Sequence, residues 1–451
     1  MTTAPTTSAP AAPTAADEVV SITRDLIRID TSNRGPGAVT SEREAAEYVV
    51  GSLQEVGLEP DLIEAAPGRS SVIVRIPGTD PGAGALVVHG HLDVVPAAAE
   101  DWSVDPFEAV VEDGVIWGRG AVDMKGMDAV ILSVVRQRQR ERRAPARDIV
   151  LAFFADEEAG GTRGARWIVD HQAERFAGAT HAISEVGGFS VTVAGRRAYL
   201  VQTAEKGQAW LNLVARGTAG HGSAINTDNA VAHLTGALTR IAAEPWPLRL
   251  TPTVTRLLAG IADLTGLPFD GEDPAQVDAL LDALGPARRF AGSSIRTLAN
   301  PTRLSAGYKT NVVPGLATGG LDLRPLPGDQ EAALARVAEL AGDAVDIEVE
   351  GQAPGIEAPA TGAFYDTLAA AILAHDPGAV ILPYMLSAGT DNKSLADLGI
   401  AGYGFAPLRL PADLDFTALF HGVDERVPVD SLRFATSVLD DLLDQSAPPR
   451  P

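Results

Sequence analysis

Residues 85–96 read ALVVHGHLDVVP, an apolar run that ends in two histidines and an aspartate. A continuous apolar run of this length is typical of a strand that is buried on both faces of a parallel sheet. In an extended strand the side chains of His91 and Asp93 lie on one face. His91 could then bind a metal ion while Asp93 accepts a hydrogen bond from its other ring nitrogen. His89 shares this face, and we interpret it as structural.

Similar apolar runs occur on both sides of this strand. Short apolar runs (SVIVRI, DIVLAFFA, HAIS) alternate with stretches of helical periodicity near residues 17–29, 41–56 and 124–141. This alternation predicts an α/β domain with a mainly parallel sheet. Ligands of such sheets bind beyond the carboxyl ends of the strands, which is where the polar residues of the opening stretch lie.

A different pattern begins near residue 204. An order of strand, helix, strand, strand, helix, strand predicts a smaller α+β unit that is inserted into the first domain. Within it, residues 244–301 hold two further helix-like stretches and no motif that we can interpret. The predicted organisation is a disordered N-terminus (1–16), a main domain in two parts (17–203 and 352–451) and an inserted smaller domain (204–351).

The composition limits the class of protein. A chain of 451 residues is too long for one ordinary core, and its formal charge of −23 argues against nucleic acid or an anionic membrane as a partner. The chain has no cysteine, so any metal must be bound by His, Asp or Glu. The N-terminal stretch lacks the basic start and apolar run of a signal peptide, and no apolar run is long enough to cross a membrane. We expect a cytoplasmic protein.

Four more short motifs place acidic or histidine side chains at predicted strand ends or in loops: GRGAVDMKG, ADEE, ISEVGG and FHGVDERVP. Each motif alone has an ordinary explanation, such as a helix cap or a solvated acidic turn. Together they supply two imidazoles and three carboxylates, a set that suits two zinc ions sharing one bridging carboxylate. These residues are His91, Asp123, Glu158, Glu185 and His421, beside which Glu157 could serve as a general base.

Eight motifs in this order resemble the zinc-dependent family of amidohydrolases and exopeptidases that includes aminoacylases, acetylornithine deacetylase, succinyl-diaminopimelate desuccinylase and glutamate carboxypeptidase. The resemblance extends from about Asp17 to Leu442. It rests on GHLDVVP, GRGAVDMKGM, ADEEAGG, SEVGG, GTAGHGS, NVVPG, GTDNKSLADLG and HGVDER.

By this resemblance Asp123 would bridge two metal ions. One ion would be bound by His91 and Glu185, and the other by Glu158 and His421. Glu157 would deprotonate the attacking water and pass the proton to the leaving nitrogen. Asp93 would orient His91 through a hydrogen bond. Zinc is the expected metal, although cobalt or manganese would accept the same ligands.

The resemblance also implies that the two-part domain (17–203 and 352–451) is the catalytic domain and that the inserted domain (204–351) is a dimerisation or lid domain. His221 would reach into the active site of the partner protomer of a homodimer and stabilise the developing oxyanion, whereas the ordinary alternative is a helix cap. Asn311 and Arg324 would bind polar groups of the substrate, Arg324 favouring a carboxylate. Gly389 and Thr390 would donate hydrogen bonds to the substrate carboxylate.

The resemblance implies a metal-dependent hydrolase that cleaves the amide of an N-acyl amino acid or a C-terminal peptide bond, with a free carboxylate on the substrate. Glutamate rather than aspartate at position 185 is more typical of the acylase and deacylase branches. A dipeptidase and a biosynthetic deacylase such as a desuccinylase stay open as alternatives. A catalytically dead binding relative is disfavoured because the base and all five ligands are present. The acyl group and the amino acid are not fixed by the sequence.

Overall fold

The computed structural model describes residues 12–35 and 41–445. The helices within these residues are α1 (Ala15–Arg28), α2 (Arg43–Gln54), α3 (Lys125–Glu141), α4 (Ala165–His171), α5 (Ala230–Ala242), α6 (Pro252–Thr265), α7 (Pro274–Asp282), α8 (Arg288–Ala291), α9 (Gln330–Ala341), α10 (Ala363–His375), α11 (Asn392–Ala396) and α12 (Val429–Asp444).

The strands are β1 (Asp61–Ala66), β2 (Arg69–Ile76), β3 (Ala85–His91), β4 (Val110–Glu112), β5 (Val115–Trp117), β6 (Ile149–Phe154), β7 (Ala179–Ser184), β8 (Phe189–Val193), β9 (Arg196–Glu205), β10 (Gln208–Arg216), β11 (Gly220–His221), β12 (Leu298–Ala306), β13 (Val312–Val313), β14 (Leu316–Arg324), β15 (Val345–Ala353), β16 (Ile356–Glu357), β17 (Val380–Leu386), β18 (Ala401–Gly404) and β19 (Arg426–Pro428).

The larger sheet has the order β1-β2-β6-β3-β7-β18-β9-β16, and β8 and β17 also pair with β9. Helices α1, α3 and α12 pack together on one face, while α4 and α11 lie on the other. Strand β3, which carries the opening stretch of the sequence, is buried along its whole length between β6 and β7. The predicted α/β fold is therefore confirmed.

The prediction of a mainly parallel sheet needs a correction, because the sheet is mixed. Strands β6, β3, β7 and β18 are parallel at its centre, whereas β1–β2, β2–β6 and β8–β9 are antiparallel. Connection length explains why β1–β2 and β8–β9 are antiparallel. Only the two residues Pro67 and Gly68 join β1 to β2, and Ala194 and Gly195 join β8 to β9. Connections this short can join only antiparallel strands.

A second, four-stranded sheet has the order β12-β14-β10-β15 and is antiparallel throughout. Its helices α5 and α9 cover one face and share a separate hydrophobic core with the strands. The order β10, α5, β12, β14, α9, β15 follows the strand and helix order that we predicted for the inserted unit. Whether this unit acts as a lid or as a dimerisation domain stays a prediction.

Residues 244–301 are divided between the two cores. Helices α6, α7 and α8 place their apolar side chains, including Leu257, Ile261 and Leu280, in the core of the larger sheet. Strand β9 also pairs in that sheet as far as Glu205. We therefore propose that the inserted unit consists of about residues 208–242 and 298–353, and that the helices between them return to the catalytic domain.

The first helix begins earlier than predicted. Helix α1 starts at Ala15, because the Asp17 carboxylate accepts hydrogen bonds from the backbone N–H and the hydroxyl of Thr14 at 2.9 and 2.6 Å. Residues 1–11 of the predicted disordered N-terminus lie outside the described residues. No helix in the described ranges combines the length and apolar character needed to cross a membrane. The cytoplasmic location stays a prediction.

The junction between the two sheets is secured by a buried lysine. Lys206 is one of four lysines in the chain, and its Nζ donates to the backbone oxygens of Ser293 at 3.0 Å and Arg296 at 2.6 Å. These bonds tie the end of the segment with α6–α8 to the strand connection that leads from β9 to β10.

We expect Lys206→Met to lower the free energy of unfolding by about 1–3 kcal/mol, because two backbone oxygens lose their donor. Urea denaturation followed by circular dichroism measures this change. The matched control is Lys309→Met, since Lys309 is exposed. Equal stabilities of the two variants would contradict the proposed anchoring role.

Candidate metal centre

Three central strands of the larger sheet deliver the candidate side chains to one edge. His91 is the last residue of β3, Glu157 and Glu158 begin a short turn of helix after β6, and Glu185 follows β7. The carboxyl ends of these parallel strands meet at the same edge. The fold therefore gathers four side chains that lie far apart in the sequence, and His91 and Glu185 are buried there.

Asp123 reaches the same edge from the loop before α3. Glu425 holds this loop in place: its Oε1 accepts from the N–H of Val122 at 2.6 Å and of Asp123 at 3.0 Å, and its Oε2 accepts from the N–H of Gly120 at 3.1 Å. Glu425 follows His421 in the same C-terminal loop. One buried carboxylate thus connects the segment that carries Asp123 to the segment that carries His421.

The two oxygens of Asp123 face two different histidines. Nε2 of His91 lies 3.1 Å from Asp123 Oδ1 and 3.4 Å from Glu185 Oε2. Nε2 of His421 lies 3.2 Å from Asp123 Oδ2 and 3.1 Å from Glu158 Oε2. The structure therefore brings together all five side chains predicted as ligands, as two His–Glu pairs with one carboxylate between them.

These distances suit divalent cations. Zinc binds nitrogen and oxygen ligands at about 2.0–2.1 Å, so two ligand atoms of a tetrahedral ion lie about 3.3 Å apart. The separations of 3.1–3.4 Å match that edge length. Glu158 also has a buried oxygen, Oε1, with no hydrogen-bond partner among the described residues. The candidate ligand atoms form two groups, and within each group all atoms lie within 4.8 Å of one another. One group is His91, Glu157 and Glu185, and the other is His91, Asp123 and Glu158.

The electrostatics of the cluster also favour bound cations. Burial raises the pKa of Glu185 to about 8, and burial together with the charge of Glu185 holds the pKa of Glu157 well above its ordinary value. Hydrogen bonds to Asp123 and Glu158 raise the pKa of His421 to about 10. The cluster alone therefore retains protons at neutral pH, which divalent cations would replace. Cation binding would weaken as the pH falls.

Asp93 has a different role from the one predicted. Nδ1 of His91 lies 2.9 Å from the backbone oxygen of Asp93, while the carboxylate Oδ1 is 3.6 Å away. The main-chain carbonyl thus replaces the carboxylate as the hydrogen-bond partner of His91. The carboxylate is drawn to other donors, since it accepts from the N–H of Glu157 and of Glu158 at 3.1 Å each and from Asn33 Nδ2 at 2.8 Å. The Asp93 carboxylate therefore holds the turn that carries Glu157 and Glu158.

His89 lies outside the metal cluster. Its Nε2 is 3.0 Å from Asn392 Oδ1, and burial lowers its pKa to about 4. A neutral buried histidine that contacts one amide fits the structural interpretation made from the sequence.

The predicted residues of the inserted unit do not contact the cluster within a single chain. His221 is exposed on β11, with Nδ1 2.8 Å from Ser223 Oγ, and Asn311 is exposed beside the same short ribbon. Arg324 lies at the end of β14, and its Nε and Nη1 donate to Asp322 and Gln208 at 2.8 and 3.1 Å. In the described ranges none of the three hydrogen-bonds to a predicted ligand, so their roles stay predictions.

The donors of Thr390 that were predicted to bind the substrate carboxylate have a partner within the chain. The hydroxyl donates to Glu205 Oε1 at 2.6 Å and the backbone N–H donates to Glu205 Oε2 at 2.9 Å. At the neighbouring Gly389 a Cβ would lie 2.5 Å from Lys393 Nζ, so this position leaves space for the lysine. The substrate-binding roles of Gly389 and Thr390 stay predictions.

Lys393 is a polar group that the sequence analysis left without a role. Its Nζ is buried and has no hydrogen-bond partner among the described residues. Burial lowers its pKa, whereas the negative charges of Glu205 and Glu157 raise it and the positive charge of Arg324 lowers it. The charge of Lys393 therefore interacts with those of Glu205, Glu157 and Arg324.

The sequence analysis missed three further residues around the cluster. Glu425 could have been flagged by its place in the HGVDER motif, next to His421. Asn33 gave no signal, because its partner Asp93 is distant in the sequence. Asp391 is buried with an unpaired Oδ2, and the charges of Asp93 and Glu185 add to burial in raising its pKa.

We expect Asp93→Asn to weaken divalent-cation affinity by about 10–100-fold, because an amide group would face the N–H donors of Glu158 and Asn33. Competition with a chromogenic chelator measures this affinity. Asp101→Asn is the control, since Asp101 is exposed. Unchanged affinity in the Asp93 variant would refute the orienting role of its carboxylate.

Comparisons with known proteins identify the family of this chain. Residues 87–445 match the model of the Peptidase family M20/M25/M40. Human aminoacylase-1 is 28% identical over 418 residues, which cover 90% of each chain. The human N-fatty-acyl-amino acid synthase/hydrolase PM20D1 is 26% identical over 386 residues, covering 83% of this chain and 76% of its own.

Solved structures share the fold. The M20 family metallo-carboxypeptidase Sso-CP2 from Sulfolobus solfataricus has a TM-score of 0.73 at 16% identity, covering 95% of this chain and 98% of its own. The dipeptidase Dug1p from Saccharomyces cerevisiae has a TM-score of 0.68 at 15% identity, covering 94% and 95%. The family match spans most of the sequence, and the chain belongs to the peptidase family M20/M25/M40.

Proposed function

We propose that this hydrolase cleaves the amide bond of N-acyl amino acids, with two divalent cations, zinc by expectation, held by the two His–Glu pairs and bridged by Asp123. The observation that carries the proposal is the position of Asp123, whose two oxygens each face a separate pair. When bound, such cations lower the pKa of water and polarise a carbonyl group.

Glu157 is the proposed general base. It lies beside His91 and Glu185, and the N–H bond to Asp93 fixes the start of its turn. A carboxylate at this position could take a proton from the attacking water and return it to the leaving nitrogen. Its neighbour Glu158 points instead to His421, so the two adjacent acids have separate tasks.

An N-acyl amino acid is favoured over a dipeptide by the curated relatives. The names of human aminoacylase-1 and human PM20D1 both refer to acylated amino acids. The dipeptidase and desuccinylase alternatives are tested by a panel of N-acetyl amino acids, N-succinyl amino acids and dipeptides. Faster hydrolysis of dipeptides than of every acylated amino acid would overturn the proposed substrate class.

The substrate carboxylate is the proposed ligand of Arg324 and Lys393. The charges of Arg324 and Glu157 both act on Lys393, whose Nζ has no hydrogen-bond partner in the described ranges. A carboxylate would satisfy this buried donor and could be bound by the planar guanidinium through two hydrogen bonds.

We expect Glu157→Gln to lower kcat by about 10²–10⁴-fold, since proton transfer to and from the reacting groups is lost. The amide is isosteric, so the cation content should be unchanged, and this is measured on the same sample. Glu174→Gln is the control because Glu174 is exposed. A cation-loaded Glu157 variant with wild-type kcat would disprove the assigned base.

We also propose a homodimer in which His221 completes the site of the partner, because His221 is exposed and does not contact the cluster of its own chain. His221→Ala and Glu157→Gln would each be inactive alone. Mixing and reassociating them should restore activity, since one site of each heterodimer is intact. An active protein that is monomeric by analytical ultracentrifugation would exclude this arrangement.

A further inference from the structure

A buried arginine is connected through hydrogen bonds to the turn that carries Glu157 and Glu158. Arg69 is the first residue of β2 and is buried together with its two partners. Its Nη1 pairs with the carboxylate of Glu42, and its Nη2 donates to Asn33 Oδ1 at 3.0 Å. The guanidinium group is therefore held between the segment that follows α1 and the segment that precedes α2.

This arginine decides which way the amide of Asn33 points. A guanidinium group donates hydrogen bonds and cannot accept them, so Oδ1 of Asn33 must face it. The backbone N–H of Gly35 donates to the same Oδ1 at 3.0 Å. The amide nitrogen is thereby directed to the other side, where Nδ2 donates to Asp93 Oδ2 at 2.8 Å and to Asp156 Oδ1 at 3.3 Å. One buried amide thus donates to two buried carboxylates.

Each of these two carboxylates holds a part of the turn. Asp93 accepts from the backbone N–H groups of Glu157 and Glu158 at 3.1 Å each. Asp156 precedes them in a left-handed conformation with a φ of 67°, which is uncommon for a residue with a side chain and needs support from its surroundings. Its Oδ2 accepts from the backbone N–H of Arg163 at 2.9 Å. The donors of Asn33 therefore act on both carboxylates that fix this turn.

The charge of Arg69 supports the same arrangement. Its Nη2 lies 3.5 Å from Asp156 Oδ1, in addition to the hydrogen bond with Asn33. Asp93 and Asp156 are both buried and contact the same amide nitrogen, so their negative charges would repel each other. A cation held in place by Glu42 weakens this repulsion.

We propose that Arg69 and Asn33 are positioning residues that hold Glu157 and Glu158 in place for proton transfer and cation binding. The inference rests on the proposed function, since it assigns a task to residues behind the proposed base and one proposed ligand. Arg69 acts through Asn33, because its guanidinium sets the direction in which the amide donates. We call this pair of residues the Arg69–Asn33 link.

Asn33→Asp tests the link with little change in side-chain size. The new carboxylate can still accept from Arg69 and Gly35, but it has no N–H group for Asp93 or Asp156. We expect the Kd for Zn²⁺ to rise by about 10–100-fold, because the turn loses the support that orients its acids. Competition with a chromogenic chelator measures this Kd on the full chain.

The kinetic effect should lie in kcat. At saturating Zn²⁺ we expect kcat for an N-acetyl amino acid to fall by about 10–100-fold in the Asn33→Asp variant, because Glu157 is displaced from the reacting groups. KM should change by much less, since Glu157 is needed for proton transfer rather than for substrate binding. Steady-state rates over a range of substrate concentrations separate the two constants.

A conservative variant tests the role of the arginine. Arg69→Lys keeps the positive charge but cannot donate to Glu42 and Asn33 through a planar pair of N–H groups. The Kd for Zn²⁺ should rise by about 2–10-fold, the equivalent of one lost hydrogen bond. Asn300→Asp is the matched control for the asparagine variant, since Asn300 is exposed on β12. Thermal unfolding of the cation-free proteins shows whether each variant is folded.

The outcomes separate the two proposals. If Asn33→Asp is folded and matches Asn300→Asp in Kd and kcat, or if it lowers only the unfolding temperature, the positioning role is wrong. If Asn33→Asp is impaired but Arg69→Lys equals wild type, the part assigned to Arg69 is wrong. If Asn33→Asp does not fold, the Kd of Arg69→Lys decides the question. If wild type hydrolyses no acylated amino acid, the proposed function fails, while the Zn²⁺ titrations still decide the positioning role.

Discussion

Repulsion among buried carboxylates is the constraint on which this site depends. Asp123, Glu157, Glu158 and Glu185 share one edge of the sheet, where water is largely excluded and like charges interact strongly. Burial and the neighbouring charges raise the pKa of Glu157 and Glu185. Divalent cations would relieve the repulsion, and the imidazoles of His91 and His421 would supply neutral ligands beside the carboxylates.

The scaffold holds this cluster through the buried carboxylates of Asp93 and Glu425. The Asp93 carboxylate accepts two N–H groups from the turn that carries both acids, and Glu425 joins the Asp123 loop to the loop of His421. Ligands from both ends of the chain are thus held by buried hydrogen bonds, and repacking in either loop would disturb the other.

The features that could be predicted from the sequence are those that short-range patterns of apolar and polar residues encode. The buried strand before His91 and the α/β alternation follow from apolar periodicity, and the acids lie at strand ends where polar residues interrupt that periodicity. Long-range hydrogen bonds could not be predicted in this way. Thr390, for example, was predicted to donate to the substrate, although its hydroxyl donates to Glu205 at the end of β9. The sequence also could not show which hydrophobic core α6 joins. The helix is amphipathic, and its apolar face does not indicate which of the two sheets it covers.

Metal stoichiometry tests the central claim most directly. Elemental analysis of fully active protein, by mass spectrometry of the dialysed sample, should find two divalent cations per chain. The His421→Ala variant should retain fewer, since His421 is 3.2 Å from Asp123, the proposed bridging residue. Active protein that contains no divalent cation, or a His421→Ala variant that binds both cations with unchanged affinity, would contradict the account.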